Sequence, residues 1–240
     1  MRVDVFIEAL KNKGIQLTEE QVAQFERYYQ ELVEWNEKVN LTAITVKEEV
    51  YLKHFYDSLM PLWLTPEVFE KANSLCDVGA GAGFPSIPLK IVRPDLTITI
   101  IDSLNKRIQF LDHLSGVLGL SDVSAVHARA EEAGQNATYR GQFDIVTARA
   151  VASLNVLTEL CIPLARKGGH FIALKGQQAE EELKEAQGAI RQLGAKYISS
   201  DSESLPGEEG QRTIITIRKT LDTPNKYPRR PGKPGKQPLK

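Results

Sequence analysis

The stretch Asp77-Val78-Gly79-Ala80-Gly81-Ala82-Gly83-Phe84-Pro85 decides how this 240-residue chain is read. It follows a short apolar run and precedes an amphipathic one. Glycines permit positive φ and let a ligand approach the backbone closely. A glycine turn between strand and helix, at the carboxyl edge of a parallel sheet, is a nucleotide site. Pro85 is expected at the first position of the helix, where a missing N–H costs nothing. The dinucleotide fingerprint needs Gly or Ala at the sixth position from Gly79, and Phe84 stands there. No Gly-Lys-Ser/Thr ending follows, so the turn is not a P-loop. What remains is an acid-x-Gly-x-Gly-x-Gly spacing.

Outward from that turn, short apolar runs alternate with helical periodicity. The expected strands are 75–78, 97–101, 123–127, 143–148, 170–174, 196–199 and 213–218. Between them, Ile108, Leu111, Leu114, Val117 and Leu118 mark one helix, ended by Gly119. Leu154, Leu157, Leu160, Cys161 and Leu164 mark another, ended by Gly168, and Leu183, Ala186, Ile190 and Leu193 a third, ended by Gly194. Such alternation predicts an α/β fold with a Rossmann-like doubly wound sheet of seven strands. The last two strands have no helix between them and are expected to pair antiparallel at one edge.

Residues 1–72 read as an N-terminal helical cap, 73–218 as the core, and 219–240 as a basic, proline-rich tail. In the cap, Val3, Phe6, Ile7 and Leu10 recur at helical spacing before Gly14. Thr18-Glu19-Glu20-Gln21 is a capping box. The helix it opens should bury Val22, Phe25, Tyr29, Leu32 and Val33. Thr45-Val46-Lys47-Glu48 is a second box, opening a helix that buries Tyr51, Phe55 and Leu59 and stops before Pro61. The tail holds five prolines and almost no apolar residues, so it is expected to be extended.

Composition narrows the class. Hydrophobic content of 42% with 25% charged residues is that of a soluble globular protein. No apolar run reaches 18 residues, which argues against a transmembrane helix. Met1 to Leu10 carries Asp4 and Glu8 and lacks a signal-peptide core, so a cytoplasmic protein is expected. Cys76 and Cys161 are in no metal-ligand spacing, so neither a metal site nor a disulfide scaffold is expected. The net charge of −1 hides a tail with seven Lys/Arg and one acid. That asymmetry fits either a solvated terminus or an anionic partner.

The glycine spacing resembles motif I of the class I S-adenosylmethionine-dependent methyltransferases. Three further elements agree in order. Asp102 ends the second strand and can accept from ribose hydroxyls, although an acid there also serves NAD. Ala130 and Glu131 follow the third strand, where that class contacts adenine. The fourth strand ends in Ala148-Arg149-Ala150-Val151, facing the transferred methyl group. Methylation of a pyrimidine C5 needs a nucleophilic cysteine, and neither cysteine is suitably placed. The Asn/Asp-Pro-Pro-aromatic motif of exocyclic amine methylation is absent after strand four. A ring nitrogen such as guanine N7 is already nucleophilic and needs only alignment.

The whole chain, from about Val3 to Pro238, resembles the bacterial 16S rRNA guanine-N7 methyltransferase G family, also called glucose-inhibited division protein B. Carrying segments are Val33-Glu34-Trp35-Asn36-Glu37-Lys38-Val39-Asn40-Leu41-Thr42, His54-Phe55-Tyr56-Asp57-Ser58-Leu59 and Cys76 to Pro85. Thr147-Ala148-Arg149-Ala150-Val151 and Tyr227-Pro228-Arg229-Arg230-Pro231-Gly232 complete them. The resemblance implies methylation of one guanosine, position 527, in the 530 loop of 16S rRNA. Transfer would be in line, by positioning, without a covalent intermediate. It implies S-adenosyl-L-methionine as cofactor, 16S rRNA or the small ribosomal subunit as partner, and a monomer. By position it assigns Gly79, Phe84, Asp102, Ala130, Glu131 and Arg149 to the cofactor, with Asp77, Gly81, Gly83, Ser103 and Leu104 beside them.

Arg149 is the candidate catalytic residue, placed where cofactor and acceptor meet; its plain alternative is a sheet-edge ion pair. Asn40, Thr42, Lys106, Arg107, Lys175, Arg218, Arg229, Arg230, Lys233 and Lys236 are candidate RNA contacts. Phosphate contacts of this kind position RNA without specifying sequence. Trp35, Tyr56 and Phe84 are either base platforms or core. His54, Asp57 and Ser58 share a helix face and are expected to form a structural cluster against the glycine turn, not a hydrolase triad. The rival classes are an NAD oxidoreductase, disfavoured by Phe84, and a non-catalytic RNA-binding factor.

Overall fold

The longest helix of the N-terminal region starts at a capping box. The computed structural model describes residues 1–240. Helix α1, Val3–Asn12, is followed by α2, Glu19–Val39. Thr18 Oγ1 accepts from the Gln21 amide at 3.2 Å while Gln21 Oε1 accepts from the Thr18 amide at 2.9 Å. The buried face of α2 is Phe25, Tyr28, Glu31 and Leu32. It is rotated from the expected face, because Tyr28, not Tyr29, reaches inward and donates its hydroxyl to Ala82 O in the glycine turn at 2.6 Å.

The second box does not form. Helix α3, Lys47–Val50, starts after Val46 with no side-chain cap. Tertiary bonds fix its start instead, Lys47 pairing with Glu26 at 2.8 Å. The run continues as a π-helix, Tyr51–Tyr56, and as α4, Asp57–Leu59. Pro61 does not stop the helical path; it opens α5, Pro61–Leu64, before α6, Pro66–Phe69.

All seven expected strands are present: β1 Ser74–Val78, β2 Thr97–Asp102, β3 Val123–His127, β4 Phe143–Arg149, β5 Ala165–Lys175, β6 Ala195–Ser204 and β7 Gln211–Lys219. The helices among them are α7 Ser86–Val92, α8 Asn105–Val117, α9 Ala130–Gln135, α10 Leu154–Cys161 and α11 Ala179–Gln192. Helix α10 ends at Cys161 and not at Gly168: Pro163 cannot continue it, and β5 already begins at Ala165. The sheet order is β3-β2-β1-β4-β5-β7-β6. Strands β1 to β5 are parallel, and β7 lies antiparallel between β5 and β6. That inversion puts the start of β7 at the carboxyl edge, Thr213 opposite Lys175, and its end at the amino edge, Arg218 opposite His170.

Each sheet face buries its own core. The N-terminal helices, α7 and α8 share one with Leu75, Ile98, Ile100 and Ile145. The first 72 residues therefore build on the sheet. Helices α9, α10 and α11 cover the other face. The tail is not extended in solvent, contrary to expectation. It folds back onto this second core, burying Tyr227, Pro228, Pro234 and Leu239, and ends with a short helix, α12, Lys233–Lys236. Its composition conceals this, because prolines and arginine stems bury apolar surface without counting as hydrophobic.

Candidate functional site

The glycine turn closes directly on the end of β2. Gly79 N–H donates to Ile101 O at 2.8 Å, and Gly81 N–H to Asp102 Oδ2 at 3.2 Å. Gly81 has φ 61°, and a Cβ there would meet nothing within 4 Å, so the turn is open on that side. Gly83, at φ 98°, has the opposite reason: a Cβ would lie 2.8 Å from Tyr28 Oη and 2.7 Å from Ile87 Cγ1. Pro85 is the N-cap and α7 begins one residue later than expected, at Ser86.

A cleft of about 440 Å³ opens in front of this turn, a size suited to a small-molecule ligand. Of the expected cofactor residues, Gly79, Gly81, Phe84, Asp102, Ser103, Ala130, Glu131 and Arg149 line it. Asp77, Gly83 and Leu104 do not. Asp77 lies fully buried beneath the turn, its Oδ2 accepting from Ser86 N–H at 3.1 Å. Leu104 contributes its amide, which donates to Asp102 Oδ1 at 2.9 Å. Arg107, expected on RNA, reaches Asp102 Oδ2 at 3.3 Å and also lines the cleft. Three donors thus use three of the carboxylate's roughly four acceptor positions, the Arg107 bond being long and half-exposed. Asp102 can still take a ribose hydroxyl, so the residues present fit an adenosyl group.

Arg149 forms the far wall. Its Nη1 donates to Asp57 Oδ2 at 2.6 Å and to Lys53 O at 3.1 Å, and Nη2 lies 3.3 Å from His54 Nδ1. Its Cζ sits 5.0 Å from the Phe84 ring centroid. A guanidinium only donates, so His54 Nδ1 is an acceptor and Nε2 carries the proton. That proton points to Thr42 Oγ1 at 2.9 Å. Burial, and then the Arg149 charge, lower the His54 pKa to about 3, so the ring is neutral. It stacks on Phe84 at 4.5 Å, and Phe84 stacks on Tyr28 at 5.4 Å. Of the expected cluster, His54 packs on Phe84 of the glycine turn and Asp57 joins it through Arg149, whereas Ser58 is buried with its hydroxyl unpartnered. Phe84 is both core and cleft wall. Tyr56 packs on Trp63, and Trp35 on Phe110 and His113.

A second pocket of about 390 Å³ shares His54, Arg149 and Ala150 with the first. Lys53, Asp57, Lys175, Glu182 and Arg212 line it. Arg212 Nε donates to Asp57 Oδ1 at 3.0 Å, so one carboxylate bridges two guanidinium groups. Lys175 pairs with Glu182 at 2.6 Å. Sequence reading misses Arg212, His54 and Lys53 as site residues. It points to Arg218 instead of Arg212, and the reversed direction of β7 carries Arg218 to the opposite edge of the sheet. Arg229 is likewise not a free cation, being paired with the fully buried Glu159 at 2.6 Å. Lys106, Arg230, Lys233 and Lys236 are exposed and form no ion pair, and Asn40 is an exposed left-handed C-cap.

Burial also raises the Asp77 carboxyl to about 7, against the opposing Ser86 amide and Arg149 charge. Cys76 and Cys161 are fully buried thiols, pushed well above their ordinary range by burial. No helix is long and apolar enough to cross a membrane.

Sheet order, glycine turn and the acid ending β2 together define the class I methyltransferase fold. Solved structures agree. A putative O-methyltransferase from Klebsiella pneumoniae superposes with TM-score 0.53 at 12% identity, covering 81% of this chain and 90% of that one. A variant of the 16S rRNA (adenine(1408)-N(1))-methyltransferase of Catenulisporales acidiphilia, solved with its cosubstrate SAM, gives 0.51 at 13% identity, covering 65% and 90%. The family is then set by sequence. A family model described as rRNA small subunit methyltransferase G matches residues 21–213. The ribosomal RNA small subunit methyltransferase G of Macrococcus caseolyticus is 59% identical over 98% of this chain and 97% of its own length. Those of Lysinibacillus sphaericus and Staphylococcus aureus strain Newman are 57% and 56% identical over the whole chain, covering 100% and 99% of their own lengths. The chain belongs to the rRNA small subunit methyltransferase G family.

Proposed function

We propose that this protein methylates N7 of a guanosine in the 530 loop of 16S rRNA, with S-adenosylmethionine in the glycine-turn cleft and the guanine in the pocket beyond Arg149. When bound, the cofactor supplies an activated methyl group. One observation carries the choice of acceptor: the second pocket offers positioning groups but no available base or nucleophile. Asp57 is held between Arg149 and Arg212, His54 Nδ1 faces a guanidinium, Glu182 is paired with Lys175 and accepts the Leu154 amide, and both thiols are buried away from the site. Such a site suits an acceptor whose lone pair is already nucleophilic and carries no proton to remove, where alignment supplies the rate.

In this reading Asp102 accepts a ribose hydroxyl and Gly81 leaves room for the ligand. Arg149 separates the two ligands, held in one orientation by Asp57, Lys53 O and His54. Lys106, Arg230, Lys233 and Lys236 are free to meet RNA phosphates, with Asn40 and Thr42 at the rim. A cytoplasmic site of action accords with ribosomal RNA as substrate.

The test is labelled methyl transfer to small-subunit RNA lacking the modification, as naked RNA and as 30S particles, followed by nucleoside mass spectrometry. 7-Methylguanosine is expected. A different methylated nucleoside would refute the acceptor, and failure to bind S-adenosylmethionine would refute the reading of the cleft.

A further inference from the structure

We propose that the C-terminal segment is a strut that sets the adenosine end of the cleft, with Arg229 and Glu159 as its positioning pair. The inference rests on reading that cleft as the S-adenosylmethionine site. Ala130 and Glu131, which line it, stand on α9, a helix of only six residues. So short a helix does not hold its place by its own hydrogen bonds. The tail holds it. Gly232 N–H donates to Glu131 Oε1 at 2.9 Å. Gln135 Nε2 donates to Asn225 O at 3.0 Å and Pro228 O at 2.8 Å. Arg140, just beyond α9, ties Gly134 O to Tyr227 O, both at 2.7 Å, and to Thr223 O at 2.8 Å. Pro228 lies so close to Gly134 that a Cβ there would sit 2.6 Å from the proline ring.

The strut is anchored on α10. Glu159 is fully buried and every hydrogen bond its carboxylate accepts comes from Arg229: the backbone amide at 2.8 Å, Nε at 2.8 Å and Nη2 at 2.6 Å. A bidentate guanidinium pair of this kind fixes direction as well as distance. Arg229 is thereby withdrawn from phosphate binding. It fixes the chain three residues before the amide that orients Glu131. Arg229 is a positioning residue and acts on cofactor affinity, not on RNA.

The experiment compares Arg229→Met with the double variant Glu159→Gln/Arg229→Met. The second avoids an unpaired buried carboxylate and so remains folded if the first does not. Calorimetry on the full-length protein measures the Kd of S-adenosylmethionine and of 5′-methylthioadenosine, which lacks the amino-acid end. Steady-state assays give KM for cofactor and RNA and kcat at saturating cofactor. Both Kd values and the cofactor KM are expected to rise about tenfold or more, with kcat and the RNA KM within twofold and partial recovery in Arg229→Lys. A merely structural pair lowers the melting temperature without this split. Cofactor affinity within twofold of the wild type in the folded double variant overturns the strut. Failure of the wild type to bind the cofactor overturns the reading of the cleft instead.

Discussion

Replacing Asp57 by Asn keeps the side chain's volume and removes the charge on which two guanidinium groups converge. The Asp57 side chain is 8% exposed, Arg149 14% and Arg212 30%. Asn accepts at one oxygen only and turns an amide donor toward the other guanidinium. Breaking a buried pair by removing one partner costs about 3–5 kcal/mol, and Arg212 can turn toward water, which favours the lower end. For a chain of this size about 3 kcal/mol corresponds to roughly 6–12 °C in Tm. Arg149 would keep Lys53 O and His54 but lose its shortest bond. A displacement of about 1 Å at a positioning group can cost on the order of 100-fold in rate, which is the expected loss in methyl transfer. Two guanidinium groups on the order of 6 Å apart repel by about 3 kcal/mol at an effective dielectric near 20. Adding Arg212→Met should therefore restore part of the lost stability, a coupling that a double-mutant cycle reads directly. The assays are thermal unfolding and single-turnover methyl transfer. A Tm within about 2 °C of wild type, with transfer within about threefold, would refute the claim that Asp57 holds Arg149 in place.

Asp77→Asn should change how stability depends on pH. The folded carboxyl titrates near 7 instead of its ordinary 3.8. Between those values the native state keeps a proton that the unfolded chain has lost. Wild-type stability therefore falls as pH rises across that window and levels off above about 7. The shift of about 3 units is worth roughly 4 kcal/mol, so urea unfolding should favour the variant over wild type by about that much more at pH 8 than at pH 4. An unchanged difference would mean the carboxyl ionises normally. Phe55→Ala should cost about 3–5 kcal/mol, because the ring sits fully buried among Phe25, Tyr28, Tyr51 and Phe84. It should also weaken cofactor binding through Phe84; a denaturant midpoint that drops with no change in cofactor Kd would separate the two effects. Replacing Arg230, Lys233 and Lys236 by Gln should weaken RNA binding and flatten its salt dependence. The log–log slope should fall by about 0.7–0.9 for each phosphate no longer neutralised, read by filter binding across a salt series. A parallel salt line would remove these residues from the interface.

The sheet is legible because the central strands carry short apolar runs and the turn between β1 and α7 has its own residue chemistry; the polar, alternating edge strand β6 is longer than its apolar signal. The antiparallel edge pair is legible too; what sequence does not supply is which of the two strands lies beside β5 and which charged side chains meet. Arg212 and Arg218 lie on the same strand and look equivalent as charges. Only the antiparallel insertion of β7 beside β5 decides that Arg212 meets Asp57 while Arg218 is carried to the amino edge. Asp77 illustrates a second limit. As the acid of the glycine motif it reads as a ligand contact, yet it is fully buried and serves the turn from beneath. The tail is a third: its prolines and arginines read as a solvated anion-binding segment. A single buried acid 70 residues upstream, Glu159, reverses that reading for Arg229. The two arginine misses concern a charged residue whose partner is distant in sequence. Local periodicity carries no information about such a partner.

The same long-range pairing explains how a common fold acquires a particular acceptor site. The sheet and glycine turn build most of the first pocket, which Leu41, Thr42 and His54 complete. The second exists because the helical run after α2 sends Lys53, His54 and Asp57 across the end of β4, where Arg149 emerges. Arg149 lines both pockets, and its hydrogen-bonded partners come from that run. Those partners are a carbonyl, a neutral imidazole and a carboxylate already shared with Arg212, so none is poised to move a proton. The groups at this junction are arranged to hold a direction rather than to change charge. A reaction that asks only for two reactants to be aligned is the one such a junction can serve.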